Sequence, residues 1–196
     1  MRLRDENKEK IVREKALELL VKEGVNGFSM QKLAKAAEVS PATLYIYYQD
    51  KDDLILKIAN EEGQKMVEAT FENFDPLMPF EDGLRVQWRN RSKYCLENPI
   101  ATQFFEQLQH TPYREKMVVA ISEEFKETMG KFITHAIKNQ EIRPMPLEVF
   151  WSVAYAPLYN LIRFHQEGQS VGGRPFTWNE DYMEQTLLLV LKALKR

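Results

Sequence analysis

Apolar residues recur along this chain at intervals of three and four, and nowhere do apolar and polar positions alternate for long between hairpin turns. That periodicity predicts an all-α protein. Between about 7 and 23, Ile11, Val12, Ala16, Leu19 and Leu20 form one stripe, with Lys8, Lys15 and Lys22 outside it. Gly24 is placed to end this helix with a left-handed cap. The Asn26-Gly27 pair can turn, Phe28 can staple the next helix, and Ser29 can cap a second helix over 30–37 that buries Leu33, Ala34 and Ala37. Ser40 and Pro41 fix the start of a third helix, because proline at the first helical position has no N–H to lose. Only Glu38 and Val39 separate it from the second, the length of a helix-turn-helix connection. Asp50 can cap a fourth helix over about 50–69, with Asp52 and Asp53 beside its positive end.

Prolines in NFDPLMPFED (73–82) break the pattern, and further helices are expected over about 81–97, 100–109, 112–139, 146–167 and 177–195. Asn98-Pro99, RPMP (143–146) and GQSVGGRP (168–175) punctuate them, and Pro157 should kink the helix that contains it. The organisation expected is a three-helix unit, 1–49, followed by a larger helical domain, 50–196, with the helix at about 50–69 joining the two.

Composition narrows the function classes. A chain of 196 residues that is 44% hydrophobic can bury a substantial core. Its longest apolar run, Leu187 to Leu191, falls far short of a bilayer span, and the charged start MRLRDENKEK leads into no apolar segment, so a cytoplasmic protein without a membrane contact is expected. Cys95, the single cysteine, is expected to be a buried, inert thiol. His110, His135 and His165 show no metal-ligand spacing, so neither a metal nor a resident cofactor is expected. No nucleophile–histidine–acid motif or glycine-rich phosphate loop argues for an enzyme. The net charge is −2, and residues 1–60 carry 11 Lys and Arg against 10 Asp and Glu, so an argument for nucleic-acid contact must rest on local geometry.

The third helix supplies that geometry. Turned at 100° per residue, it is read with Pro41, Leu44 and Tyr48 on the core side, Tyr45 at the margin, and Ala42, Thr43, Ile46 and Tyr47 outward. Small residues at its start allow approach to base edges, the Thr43 hydroxyl can bond a base or phosphate, and Tyr45 and Tyr47 offer hydroxyls at the tips of rigid rings for phosphates. Lys51 adds a cation one turn on. An ordinary three-helix core with amphipathic tyrosines would share this shape.

Residues 28–54, FSMQKLAKAAEVSPATLYIYYQDKDDL, resemble the DNA-binding signature of the TetR family of bacterial transcriptional regulators. Phe28, Ser29, Leu33, Ala34, Ala37, Val39, Ser40, Thr43, Leu44, Tyr45, Tyr47, Lys51 and Leu54 stand at the matching positions. Glu38 and Ala42 depart from it, standing where the family often has glycine; Glu38 must then accept an unfavourable φ at roughly 1 kcal/mol. The resemblance implies DNA contacts from Ser29, Gln31, Ala42, Thr43, Tyr45, Tyr47 and Lys51, with Ser40 mainly capping. It also implies a homodimer through the last two helices that reads a near-palindromic double-stranded operator, and a repressor released by a small-molecule effector.

For the effector, an apolar and aromatic lining is expected from Met66, Trp88, Tyr94, Phe104, Phe105 and Met117, with Phe125, Met129, Trp151 and Tyr155; Gln107, His135 and His165 are the polar candidates. Such side chains also serve as plain core. A helical interaction protein without a regulatory role, or an enzyme with a helical cavity, are the alternative readings.

Overall fold

The computed structural model describes residues 6–120 and 123–196, the side chains of Glu6, 117–120 and Glu124 excepted. Among the described residues there are eleven α-helices and no strand, only the isolated bridges Ile142–Lys195 and Gln169–Pro175. The helices are α1 (Glu6–Gly27), α2 (Met30–Ala36), α3 (Pro41–Tyr47), α4 (Lys51–Thr70), α5 (Phe80–Glu97), α6 (Pro99–Leu108), α7 (Tyr113–Ala120), α8 (Glu123–Lys138), α9 (Leu147–Ala154), α10 (Ala156–Glu167) and α11 (Glu180–Leu194).

Two compact units divide the chain: Met1–Lys65 with Asn98–Ser122, and Met66–Glu97 with Glu123–Arg196. The first holds the three N-terminal helices together with most of α4, α6 and α7, so the packing body that carries them is larger than residues 1–49. Its core joins Val12, Ala16 and Leu20 of α1 to Leu33, Ala34, Leu44, Leu54, Ile55, Ile58, Phe104 and Leu108. Ile11, expected in the apolar stripe of α1, is instead exposed, and Leu19 is half-buried. The burying stripe is 12, 16, 20, a strict spacing of four. Gly24, expected to end the helix with a left-handed cap, takes φ 70° and ψ 167° instead, an extended positive-φ kink that glycine permits, and α1 resumes to Gly27 before Phe28. Asp50 caps α4, its carboxylate accepting from the Asp53 N–H at 2.8 Å.

The second unit packs α5, α8, α9, α10 and α11 around Phe80, Leu84, Trp88, Phe132, Phe150, Tyr155, Leu158, Ile162 and Leu187. The start of α5 is satisfied from a distance: the Phe80 N–H donates to the Glu141 carboxylate at 2.6 Å. The expected 146–167 helix is two helices. The break falls at Tyr155 (φ −126°, ψ −31°), and Pro157 sits in the first turn of α10, where a missing N–H does no harm. Cys95 lies buried in this core. The expected 112–139 helix is described as α7 and α8, with residues 121 and 122 between them outside the described set.

Gly83 marks the tightest point. A Cβ added there would stand 2.6 Å from Cζ of Phe132 and 3.2 Å from Cε2 of Phe74. Gly83→Ala should therefore destabilise the protein by about 1–3 kcal/mol, through displacement of the Phe132 ring. A thermal melt indistinguishable from the parent would refute this account of the packing.

Candidate nucleic-acid interface

Helices α2 and α3 and the turn between them form the candidate site. Ser29 caps α2 by accepting from the Lys32 N–H at 3.3 Å, and Ser40 caps α3 by accepting from the Thr43 N–H at 3.2 Å. The Ser40 and Thr43 hydroxyls also share a hydrogen bond of 2.8 Å. Between the helices Glu38 takes φ 53°, the left-handed conformation expected of a non-glycine residue in this turn. The turn is closed by the Val39 N–H donating to Ala34 O at 3.0 Å.

Burial divides α3 sharply. Leu44 is fully buried, Tyr47 is 5% exposed and Tyr48 is also buried, whereas Tyr45 is 55% and Ile46 49% exposed. Tyr47 was expected outward and Pro41 inward; both are the reverse. The cause is geometric. Tyr47 stands three residues after Leu44, which puts it only about 60° from Leu44 around the helix, and Tyr48 about 40°. Residues 44, 47 and 48 are thus an i, i+3, i+4 stripe facing the core. The outward face is Ala42, Tyr45 and Ile46, with Thr43 half-buried and Gln31 of α2 exposed.

Lys51 is also placed differently from the expectation of an exposed cation. Its ammonium donates to Val25 O at 2.6 Å and Phe28 O at 3.1 Å, and lies 5.9 Å from the Phe28 ring centroid. It secures the segment that delivers Ser29 and the start of α2. Six residues further along α4, Lys57 donates to Tyr47 O at 3.0 Å, satisfying a terminal carbonyl of α3, and pairs with Asp53 at 2.9 Å. Asp53 in turn accepts from the Gln49 N–H at 2.8 Å. That backbone donor, and then Lys57, hold the Asp53 carboxyl below the usual carboxylate range. A depressed folded-state value means that this contribution is present at neutral pH and is lost as acid protonates the group. Neither Lys57 nor Asp53 was singled out from the sequence; the signal was a lysine one turn past an acidic helix start.

Two further ties reach α1 and α4 within this unit. Gln107 of α6 donates to Val21 O at 2.8 Å, and the Tyr113 hydroxyl of α7 donates to Asp52. Burial first, and then the Asp52 carboxylate, push the Tyr113 hydroxyl above its ordinary pKa, so it remains a donor.

The residues expected to line an effector pocket are dispersed. Phe104 belongs to the core of the first unit, Phe105 lies beside Gly63, and Gln107 is committed to α1. The side chain of Met117 lies outside the described residues. In the second unit, Trp88 is buried with its indole N–H on Ala154 O at 2.8 Å, and Tyr94 is buried in the same core, on which Met66 packs. His135 hydrogen-bonds Asn139, and His165 accepts from the Trp178 N–H. Phe125, Trp151 and Tyr155 do come together, but around Arg91, with Met129 held beside them by Gln87. Neither Arg91 nor Gln87 was foreseen. Both interrupt the stripe Leu84, Trp88, Cys95 of α5 at helical spacing, a sequence signal in plain view. A surface hollow lined by Gln109 to Pro112, Arg114 and Glu115 contains none of these residues.

A capped two-helix reader with an outward third-helix face, borne on a larger all-helical body, defines a helix-turn-helix protein. Residues 12–58 match the family model for bacterial regulatory proteins, tetR family. An uncharacterized HTH-type transcriptional regulator of Haemophilus influenzae is 33% identical over 94 residues, which cover 48% of this chain and 50% of the relative. A second such regulator, YuxN of Bacillus subtilis, is 30% identical over 56% of this chain and 38% of its own length. The chain thus spans half or less of the curated relatives it matches. Solved structures share the fold along almost the whole chain: a TetR-family regulator from Haemophilus influenzae (TM-score 0.79, 21% identity, 97% of this chain and 98% of the other) and one from Marinobacter aquaeolei (0.73, 24%, 100% and 99%). Among the described residues no helix is long and apolar enough to cross a membrane, and no cluster of three or more His, Cys, Asp and Glu could hold a metal ion.

Two substitutions separate folding from contact. Tyr47→Ala should cost about 3–5 kcal/mol of stability by opening a cavity in the first core, whereas Tyr45→Ala should leave the melt almost unchanged. Equal melting temperatures for the two variants would show that the burial contrast on α3 is misread. Glu38→Gly should stabilise by up to about 1 kcal/mol, since glycine takes a positive φ without a Cβ clash; chemical denaturation that finds it less stable than the parent would exclude strain at this turn.

Proposed function

We propose that this chain is a sequence-specific regulator of transcription, a homodimer that reads a near-palindromic double-stranded operator and represses until a small effector releases it. The observation that carries the reading is the outward face of α3, where Ala42, Tyr45 and Ile46 stand exposed while the tight turn and two caps fix the helix start. Small Ala42 permits close approach to base edges, Ile46 and the Thr43 methyl suit the thymine methyl group, and the Tyr45 hydroxyl suits a phosphate oxygen. Gln31 contributes from α2. Tyr47 and Lys51 then act by positioning α3 and the start of α2.

A single short reading helix binds weakly, so two copies acting together are expected. The dimer face favoured here is the solvent side of α11, with α10 beside it. Leu187, Val190, Leu191 and Leu194 of α11 turn into the core, while Tyr182, Leu188 and Leu189 face out, Leu189 being 69% exposed. Large apolar side chains left exposed on one helix are a mark of an interface. Such a protein would work in the cytoplasm, where its operator lies.

Binding of the full chain to the DNA upstream of its own gene, compared with random DNA over a range of salt, tests the reading. A specific complex should form with a salt slope reflecting several phosphate contacts, and Tyr45→Ala should weaken it roughly tenfold. Equal affinity for both DNAs at every salt concentration would sink the proposal. Leu189→Glu should convert the dimer to a monomer in sedimentation and abolish tight binding to a two-half-site operator; an unchanged dimer would move the interface elsewhere.

A further inference from the structure

Arg91, on α5 in the second unit, is a buried cation whose charge no described side chain balances. Its residue is 3% exposed. Nη1 donates to the Tyr159 hydroxyl at 2.9 Å and Nη2 to Gln87 Oε1 at 3.2 Å, while Nε is buried with no hydrogen-bond partner. Both acceptors are neutral. Among the described side chains no carboxylate stands at ion-pair distance from this guanidinium. Gln87 Oε1 is moreover shared, accepting from the Tyr155 hydroxyl at 2.8 Å, and the Gln87 amide is turned to the Met129 sulfur at 3.1 Å. The rest of the surroundings is aromatic: the guanidinium carbon lies 4.6 Å from the ring centroid of Tyr155, 5.6 Å from Trp151 and 5.9 Å from Phe125.

Ring faces offset part of a cation's desolvation but do not supply a counter-charge, and an arginine taken out of water without one is costly. Packing alone does not call for it. The position lies on the apolar stripe of α5, where a methionine or leucine would fill the same volume without the penalty. What a guanidinium offers that those residues lack is a planar fork, and here the Nε corner of that fork is unspent. A Nε–Nη edge is the geometry that takes a carboxylate through two parallel hydrogen bonds. Trp151, 37% exposed, is where this aromatic cluster meets solvent.

We propose that Arg91 is the anion-recognising residue of an effector site in the second unit, and that its ligand is a small carboxylic acid with an apolar or aromatic body. The carboxylate pairs with the Nε edge of Arg91, and the body replaces the contacts that Trp151 and Phe125 make with the guanidinium. Tyr159 and Gln87 hold the fork in place as positioning residues. The assignment deepens the effector named above and rests on that reading for its consequence on DNA, whereas binding of the acid is measured independently of DNA.

The test uses the full-length protein and four probes, decanoate and 3-phenylpropionate with their uncharged amides, followed by thermal shift and by tryptophan fluorescence titration. At least one acid should raise the melting temperature saturably, with its amide at least tenfold weaker. Arg91→Met should melt at or above the parent and lose the acid response; Arg91→Lys, which keeps the charge without the fork, should fold and respond weakly. Acids and amides that act alike, or not at all, would overturn the assignment. So would an Arg91→Met protein that still responds to the acid. If Arg91→Met fails to fold and Arg91→Lys binds the acid as the parent does, the guanidinium is structural and the proposal falls. A protein that binds its operator but ignores the acids removes this inference and leaves the regulator reading standing; acid binding without operator binding does the reverse.

Discussion

Two lysines in the first two turns of α4 govern where the reading surface sits. A short helix such as α3, seven residues long, leaves most of its terminal carbonyls without intrahelical partners and has little cooperativity of its own. Lys57 answers that need at Tyr47 O, and Lys51 does the same for Val25 O and Phe28 O ahead of α2. The ammonium groups therefore clamp both ends of the reader onto one helix. The helix that holds the reader also carries the chain's first passage out of that unit, between Lys65 and Met66.

The local turn and these clamps reinforce each other. Glu38 holds a backbone conformation that costs energy in an L-residue, and it keeps that conformation because Leu33, Leu44, Tyr47 and Tyr48 bury the two flanking helices in one core. With the inward side of α3 occupied so fully, little is left for recognition except Ala42, Thr43, Tyr45 and Ile46. A small, mostly apolar reading surface would give modest affinity per copy, which is the physical ground for the proposed dimer.

Most helix boundaries were legible in the sequence, because they are set by local chemistry: Ser29, Ser40 and Asp50 as caps, Pro41 and Pro99 at first turns, Gly168 in a left-handed terminus. The head was legible for the same reason, its motif being local. Two things were not, and a third was legible but open to either reading. The break at Tyr155 depends on how α9 and α10 pack, not only on Pro157. The inward turn of Tyr47 was available from helical spacing and was missed because tyrosine suits either face. The partners of Lys51 lie more than twenty residues away, on carbonyls that no pattern of side chains announces. Aromatic and methionine residues alone do not separate a pocket lining from a core in the sequence, since both use the same types. Arg91, a charged residue set in the apolar stripe of α5, stands out from that background by its chemistry.

The chain's one thiol has a practical meaning of its own. Cys95 is 2% exposed, deep in the second unit and within four residues of Arg91 along α5. A thiol-reactive reagent can reach it only when that unit opens. The rate of its modification is therefore a built-in clock for opening around Cys95, readable without any engineered label.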